Sequence, residues 1–265
     1  MNFARHYLLA LQFFTRVPVT GVLARWAAFS PDGLRASTAH FPGVGLVVGG
    51  LSALVFWLLD RSLPTGAASL LAAAVLSTAA GVLCTGAFHE DALADVADGL
   101  GGSPNRERAL EIMKDSRVGA FGAVAVVLAL LSKVTLLAAL ASVAPAVACG
   151  AIVVAHVISR GAALPLIRSL PYVADQAHSK SKLLADHISR MALVTGLAWC
   201  LAALALATPW LPMRSVACGV AFLIAIALWM WRLFAKRLQG ITGDCLGATQ
   251  QVCEIGFYLG MAIWR

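Results

Sequence analysis

The sequence predicts an all-α, polytopic membrane bundle of about 6–7 transmembrane helices with an N-terminal interfacial helix, forming a single membrane-embedded catalytic domain over residues 1–265. Three observations carry this. First, 60% of the residues are hydrophobic and 12% charged, against roughly 25% charged in a soluble domain, and the mean hydropathy is +0.83. Second, apolar stretches long enough for a ~30 Å hydrocarbon core alternate with short polar connections. Third, the basic residues gather on alternate connections. Arg5, Arg16, Arg25, Arg35, Arg106, Arg108, Lys114, Arg117, Arg168, Lys180, Lys182, Arg190, Arg232, Lys236 and Arg237 fall on one side, and only Arg61, Arg214 and Arg265 on the other. Orientation in a bacterial cytoplasmic (inner) membrane explains this distribution, with the first side cytoplasmic. It also explains the net charge of +7, so no nucleic-acid partner is expected.

In chain order, residues 1–42 read as an interfacial region. Its first helix ends before Pro18, because proline disfavours helix in the residue ahead of it. The apolar run Tyr7–Phe14 is short, is followed by Arg16 and has no small-residue cleavage site, so it does not read as a signal peptide. Spans are expected over about 43–59, 66–88, 118–140, 145–166, 191–211 and 216–234. Gly45-xxx-Gly49 in the first permits close helix packing. Segments 87–117 and 168–190 read as cytoplasmic loops, the latter holding Lys180, Lys182, Asp186 and His187. The segment Ala248–Trp264 carries Glu254 and is barely long enough to span. Lys133 near mid-span requires a partner or a water-filled cavity. The six cysteines form no CxxC pair and read as small core residues. No internal repeat is evident, and the small-xxx-small spacing suits a homo-oligomer.

Chemistry concentrates in one stretch. Four of the 13 acidic residues fall between Glu90 and Asp98. Asp91, Asp95 and Asp98 are spaced i, i+4, i+7, which puts them on one helical face with neighbouring Cβ atoms about 5–6 Å apart. Carboxylates that close repel unless a cation intervenes. Mg²⁺, which takes a few carboxylates plus water and phosphate oxygens, suits them, and a solvated acidic face is the alternative. Asp115 or Asp244 could complete the shell or accept a proton from an attacking hydroxyl. His89 lies off this stripe and fits a substrate contact or a structural role better than a metal ligand. Metal beside basic groups is the equipment of phosphoryl transfer.

Several motifs are similar to those of the cobalamin synthase (adenosylcobinamide-GDP ribazoletransferase) family, and the resemblance spans nearly the whole chain. They are Phe13-Phe14-Thr15-Arg16-Val17-Pro18, Phe41-Pro42, His89-x-Asp91-x-Leu93-Ala94-Asp95-x-x-Asp98-Gly99, Glu111 through Gly119, Ser159-Arg160-Gly161, and Thr242-Gly243-Asp244-x-Leu246-Gly247-Ala248. Ala92 stands where the family usually has glycine. The resemblance implies a Mg²⁺-dependent transfer in cobalamin biosynthesis. The cobinamide-phosphoryl group of adenosylcobinamide-GDP passes to α-ribazole or its 5′-phosphate, and GMP leaves. Other enzymes of that pathway become possible partners alongside the lipid bilayer. Asp91, Asp95 and Asp98 are then expected metal ligands, and Asp98, Asp115 and Asp244 candidate catalytic groups. Arg16, His89, Lys114, Arg117, Lys133 and Arg160 are candidate substrate contacts. Substituting Asp95 or Asp98 by Asn is expected to abolish turnover and spare folding. Rival functions are a CDP-alcohol phosphatidyltransferase acting on lipid, whose second aspartate pair is missing here, and a cation or corrinoid transporter, whose site would lie nearer mid-membrane.

Overall fold

A computed structural model describes residues 3–174, 184 and 188–264, so Lys180, Lys182, Asp186, His187 and Arg265 lie outside the described residues. The described chain is helical, apart from a single β-bridge between Tyr172 and Ile241.

The amphipathic α1 (Phe3–Phe14) buries Leu9, Ala10 and Leu11, the last two against Val44 and Val48. The Thr15 hydroxyl donates to Leu11 O at 2.7 Å, and Arg16 N donates to Cys84 O at 2.7 Å, which turns the chain before Pro18. Two short helices follow, α2 (Gly21–Trp26) and α3 (Pro31–Ser37). The second starts where Ser30 Oγ accepts from Gly33 N at 3.1 Å, an ordinary N-cap with proline at the first position.

The bundle proper is built from α4 (Phe41–Ser62), α5 (Ala67–Thr85), α8 (Ala120–Ala141), α9 (Pro145–Gly161) running into α10 (Ala163–Ser169), α11 (Arg190–Ala207) and α12 (Met213–Arg237). Among the described residues, six stretches are long and apolar enough to cross a membrane, so the chain is a multi-pass membrane protein. The Gly45-xxx-Gly49 pair seats α4 on α9. A side chain at Gly45 would strike the backbone at His156 and Val157, and one at Gly49 the backbone at Val153.

Between the spans lie α6 (Phe88–Gly102) and α7 (Arg106–Ile112). The second span stops at Thr85, short of the expected Phe88, because Gly86 and Ala87 both adopt left-handed backbone, φ 69° and 59°. The acidic stretch therefore opens a helix of its own. Asn105 Oδ1 accepts from Arg108 N at 2.8 Å to start α7. Two basic residues expected to orient the chain are also tethers: Arg106 Nε donates to Leu238 O at 2.7 Å and Arg237 to Ser103 O at 2.6 Å.

The final segment is a 21-residue helix, α13 (Gly243–Ile263), ~31 Å long at 1.5 Å per residue. It carries Asp244, Gln250, Gln251 and Glu254, yet most of its residues are buried, packed between α12, α6, α8 and α9. Its polar side chains answer one another. Glu254 Oε2 accepts from Lys133 Nζ at 3.1 Å and from Gln250 Nε2 at 2.7 Å, and Glu254 Oε1 accepts from Tyr258 Oη at 3.1 Å. The mid-span lysine thus has the partner its position requires. Lys133 and Glu254 are about equally buried, at 5% and 3% side-chain exposure. Removing one member of such a pair leaves a bare charge and costs about 3–5 kcal/mol. Lys133→Met is accordingly expected to lower thermal stability in detergent sharply, and Lys133→Met combined with Glu254→Gln to recover most of the loss.

Candidate active site

The acidic helix α6 crosses α13 closely. A side chain at Gly247 would collide with Ala92 Cβ, so the alanine at position 92 fits because position 247 is glycine. Gln251 Nε2 donates to Glu90 Oε1 at 3.0 Å, a second tie between the two helices. The crossing brings Asp244, in the first turn of α13, within electrostatic reach of Asp91 and Asp95 on α6.

The three aspartates of α6 have different surroundings. Asp91 is exposed, Asp95 half-buried and Asp98 buried. Burial, then the charges of Asp244, Asp91 and Asp98, push the Asp95 carboxyl up to about 7. Burial also raises that of Asp244, partly offset by the Thr242 hydroxyl, which donates to it at 3.2 Å. Asp98 sits at the start of α8, where Oδ2 accepts from Gly119 N at 2.7 Å and Oδ1 from Gly122 N at 2.8 Å. Four amide N–H groups at a helix start lack partners, and the helix dipole favours an anion there. Asp98 supplies that anion from another helix, and only glycine fits at 119 and 122, where any Cβ would overlap its carboxylate.

The other expected residues scatter. Asp115 is bound by Arg117, whose Nη2 donates to Asp115 Oδ2 at 2.6 Å, with Arg117 N donating to Asp115 Oδ1 at 3.0 Å. That partner holds Asp115 down at about 2. This loop pair and Lys114 are exposed at the surface, whereas Lys133 is committed to Glu254. Arg160 is buried; its Nη1 donates to His156 O at 2.8 Å. Arg16 lies against Gly86 at the corner between α5 and α6. His89 is buried, with its ring stacked on Phe14 at 6.2 Å and edge-on to Phe88 at 5.4 Å. Burial holds its imidazole well below the usual range, in the neutral form.

Around His89 and Arg160 the structure assembles residues to which the sequence assigned no role. Phe13, Phe14, Phe41 and Phe88 wall a pocket whose polar lining is His89, Arg160 and Gln250. Beneath it lies a smaller polar cavity, with room for about one water, lined by Glu90, Gln251, Glu254, Lys133 and His156. Four buried polar atoms of its lining lack a protein partner: Ser52 Oγ, Glu90 Oε2, Arg160 Nε and Gln251 Oε1. Of these residues the sequence singled out only Glu90, within the acidic stretch, and Arg160, as a candidate substrate contact.

Among the described residues, no three His, Cys, Asp or Glu side chains converge into a ready-made metal cage. The donors beside Asp95 are carboxylate oxygens that crowd one another. Such a set suits a hard divalent cation that keeps waters and takes further oxygens from a phosphate.

A family model described as Cobalamin-5-phosphate synthase matches residues 6–262. The adenosylcobinamide-GDP ribazoletransferase of Polaromonas naphthalenivorans (strain CJ2) is 58% identical over 277 residues, covering 99% of this chain and 99% of that protein. Its namesake from Albidiferax ferrireducens is 58% identical, again with 99% of each chain covered. The one from Leptothrix cholodnii is 46% identical, covering 97% of this chain and 94% of that protein. No solved structure matches. The chain belongs to the Cobalamin-5-phosphate synthase family.

The contrast between Asp95 and Asp98 is measurable. Asp98→Asn turns an amide NH₂ toward a backbone N–H, so the expectation that folding is spared no longer applies to it; leaving a buried donor unpaired costs about 1–3 kcal/mol and should lower the melting temperature. Asp95→Asn should raise it in protein stripped of divalent ions. The folded carboxyl titrates near 7 against an ordinary 3.8, so its charge destabilises the fold increasingly as pH rises between those values. The stabilisation by Asp95→Asn should grow over that interval and level off above it.

Proposed function

We propose that this chain transfers the cobinamide-phosphoryl group of adenosylcobinamide-GDP to the 5′ oxygen of α-ribazole or of its 5′-phosphate, releasing GMP. The family match over residues 6–262 supports the reaction and disfavours the lipid phosphotransferase and transporter alternatives. The observation that carries the site is the crowding of Asp95 by Asp244 and Asp91.

Asp91, Asp95 and Asp244 are the groups we assign to Mg²⁺. The ion, when bound, neutralises charge on the diphosphate and orients it for displacement. Asp244, whose affinity for a proton burial has raised, accepts the proton of the attacking 5′ hydroxyl. The new bond forms between that oxygen and the phosphorus on the cobinamide side, the bond to the bridging oxygen breaks, and GMP carries the electron pair away. Asp98 positions the helix rather than the substrate. By anchoring the start of α8 it fixes the loop that carries Lys114, Asp115 and Arg117. We assign Lys114 and Arg117, exposed on that loop, to contact with the anionic substrate. The helices alternate in direction, so the starts of α8 and α13, the end of α12 and most of the basic residues share one end of the bundle. The positive-inside rule makes that end cytoplasmic in a bacterial inner membrane, where soluble substrates have access.

Purified protein in lipid nanodiscs should release GMP from adenosylcobinamide-GDP only when α-ribazole and Mg²⁺ are both present; release without α-ribazole would sink the assignment. Because a proton competes for Asp95 below about 7, the Mg²⁺ concentration for half-maximal rate should fall as pH rises from 6 to 7.5. In Asp95→Glu, if active, it should follow a displaced pH curve.

A further inference from the structure

We infer that the groove between α4, α9 and α11, at the end of the bundle away from the acidic cluster, binds one phospholipid whose headgroup carries a phosphate and a primary ammonium, with Arg61 on the phosphate and Asp60 on the ammonium.

The groove is open and has a volume of about 580 Å³, within the range of small-molecule sites. Small residues leave the room: Ala53 on α4, Gly150 on α9 and Ala203 on α11 all line it. Its lining on α4 runs from Leu46 to Arg61, ~22 Å at 1.5 Å per residue. One leaflet contributes ~15 Å, half of the ~30 Å hydrocarbon core. The groove therefore runs the depth of a leaflet, the space that an acyl chain occupies. α4 and α11 end at its mouth and α9 begins there. Trp57 and Trp210 line that end, and tryptophan favours the boundary between hydrocarbon and headgroups.

Charge decides which lipid. Trp57, Asp60 and Arg61 are spaced i, i+3 and i+4, so they share a face of α4, and all three line the groove. Arg61 Cζ lies 5.7 Å from the centre of the Trp57 ring. Among the described residues, neither Asp60 nor Arg61 has an ion-pair or hydrogen-bond partner. The mouth of an apolar trough thus presents an anion and a cation that the protein itself does not answer. A headgroup with phosphate and ammonium a few bonds apart answers both. Phosphatidylglycerol brings no cation for Asp60, whose charge repels its phosphate. A choline headgroup has a quaternary nitrogen, with no N–H to give to a carboxylate that only accepts.

Native mass spectrometry of the full chain in detergent tests this, with phosphatidylethanolamine, phosphatidylcholine and phosphatidylglycerol of identical acyl chains titrated in turn. The wild type is expected to retain one phosphatidylethanolamine about fivefold more tightly than either other lipid, the scale of one ion pair at a partly exposed position. Asp60→Asn should abolish that preference by weakening phosphatidylethanolamine alone, and Arg61→Gln should weaken all three lipids by about the same factor. Phosphatidylethanolamine with a photoreactive group at the end of its acyl chain should label Leu46 and Val153 ahead of Leu128 and Leu131, which are exposed on α8. The wild-type preference and the labelling stand without any variant. Equal retention of the three lipids, tighter retention of phosphatidylglycerol, or labelling no greater at Leu46 and Val153 than on α8 would overturn the site. A preference unchanged in Asp60→Asn would overturn the headgroup contact. A dimer that survives delipidation and excludes added lipid would give the groove to a second copy of the chain and overturn the inference as well.

Discussion

Glu254 is the charge around which the interior is arranged. It lies midway along a helix enclosed by the bundle, and burying a carboxylate without partners would be prohibitive. Lys133 from α8, Gln250 one turn earlier and Tyr258 one turn later each give it a hydrogen bond, and His156 Nε2 from α9 approaches to 3.8 Å. Two helices, α8 through Lys133 and α9 through Ser159, which accepts from Gln250, are thereby fixed to α13 by directional contacts. Apolar packing alone does not do this in lipid, where neighbouring tails are as apolar as the helix faces.

The acidic site inherits its geometry from that centre. Gln251, adjacent to Gln250, holds Glu90, and the close contact of Gly247 with Ala92 brings α6 against α13. Asp244 and Asp95 meet because α13 is held in register by interactions two to three turns away from them. Asp98 then spends its charge on Gly119 and Gly122. One stretch of sequence therefore does two jobs: Asp91 and Asp95 are left to crowd Asp244, and Asp98 fixes where the next span begins.

Much of this was legible in the residues. Membrane length and hydropathy located the six spans, Gly45 and Gly49 marked a real helix contact, and a mid-span lysine had to have a partner. Asp244 could be named, but its nearness to Asp95 could not, because 149 residues of chain separate them and only the folded crossing joins them. Spacing placed Asp98 with Asp91 and Asp95, since a helical wheel reports direction and not what stands opposite. The amides at Gly119 and Gly122 stand opposite, and they are invisible in a side-chain pattern. The limit of the second span was misplaced by a few residues because Ala87 takes a left-handed conformation that its identity does not advertise. Phe13, Phe14 and Phe41 stood in motifs of the resemblance with no role attached to their rings, and Phe88 only marked the end of a span; three separate helices make them a pocket.

The burial of α13 bears on how the protein is made. A helix carrying Asp244, Gln250, Gln251 and Glu254 is a poor substrate for partition into lipid by hydropathy alone, whereas the helices synthesised before it qualify individually. Lys133 enters the bilayer ahead of Glu254, the carboxylate that pairs with it. The nascent bundle therefore holds the Lys133 cation without its ion-pair partner until α13 docks, drawn in by electrostatic attraction more than by lipid solubility.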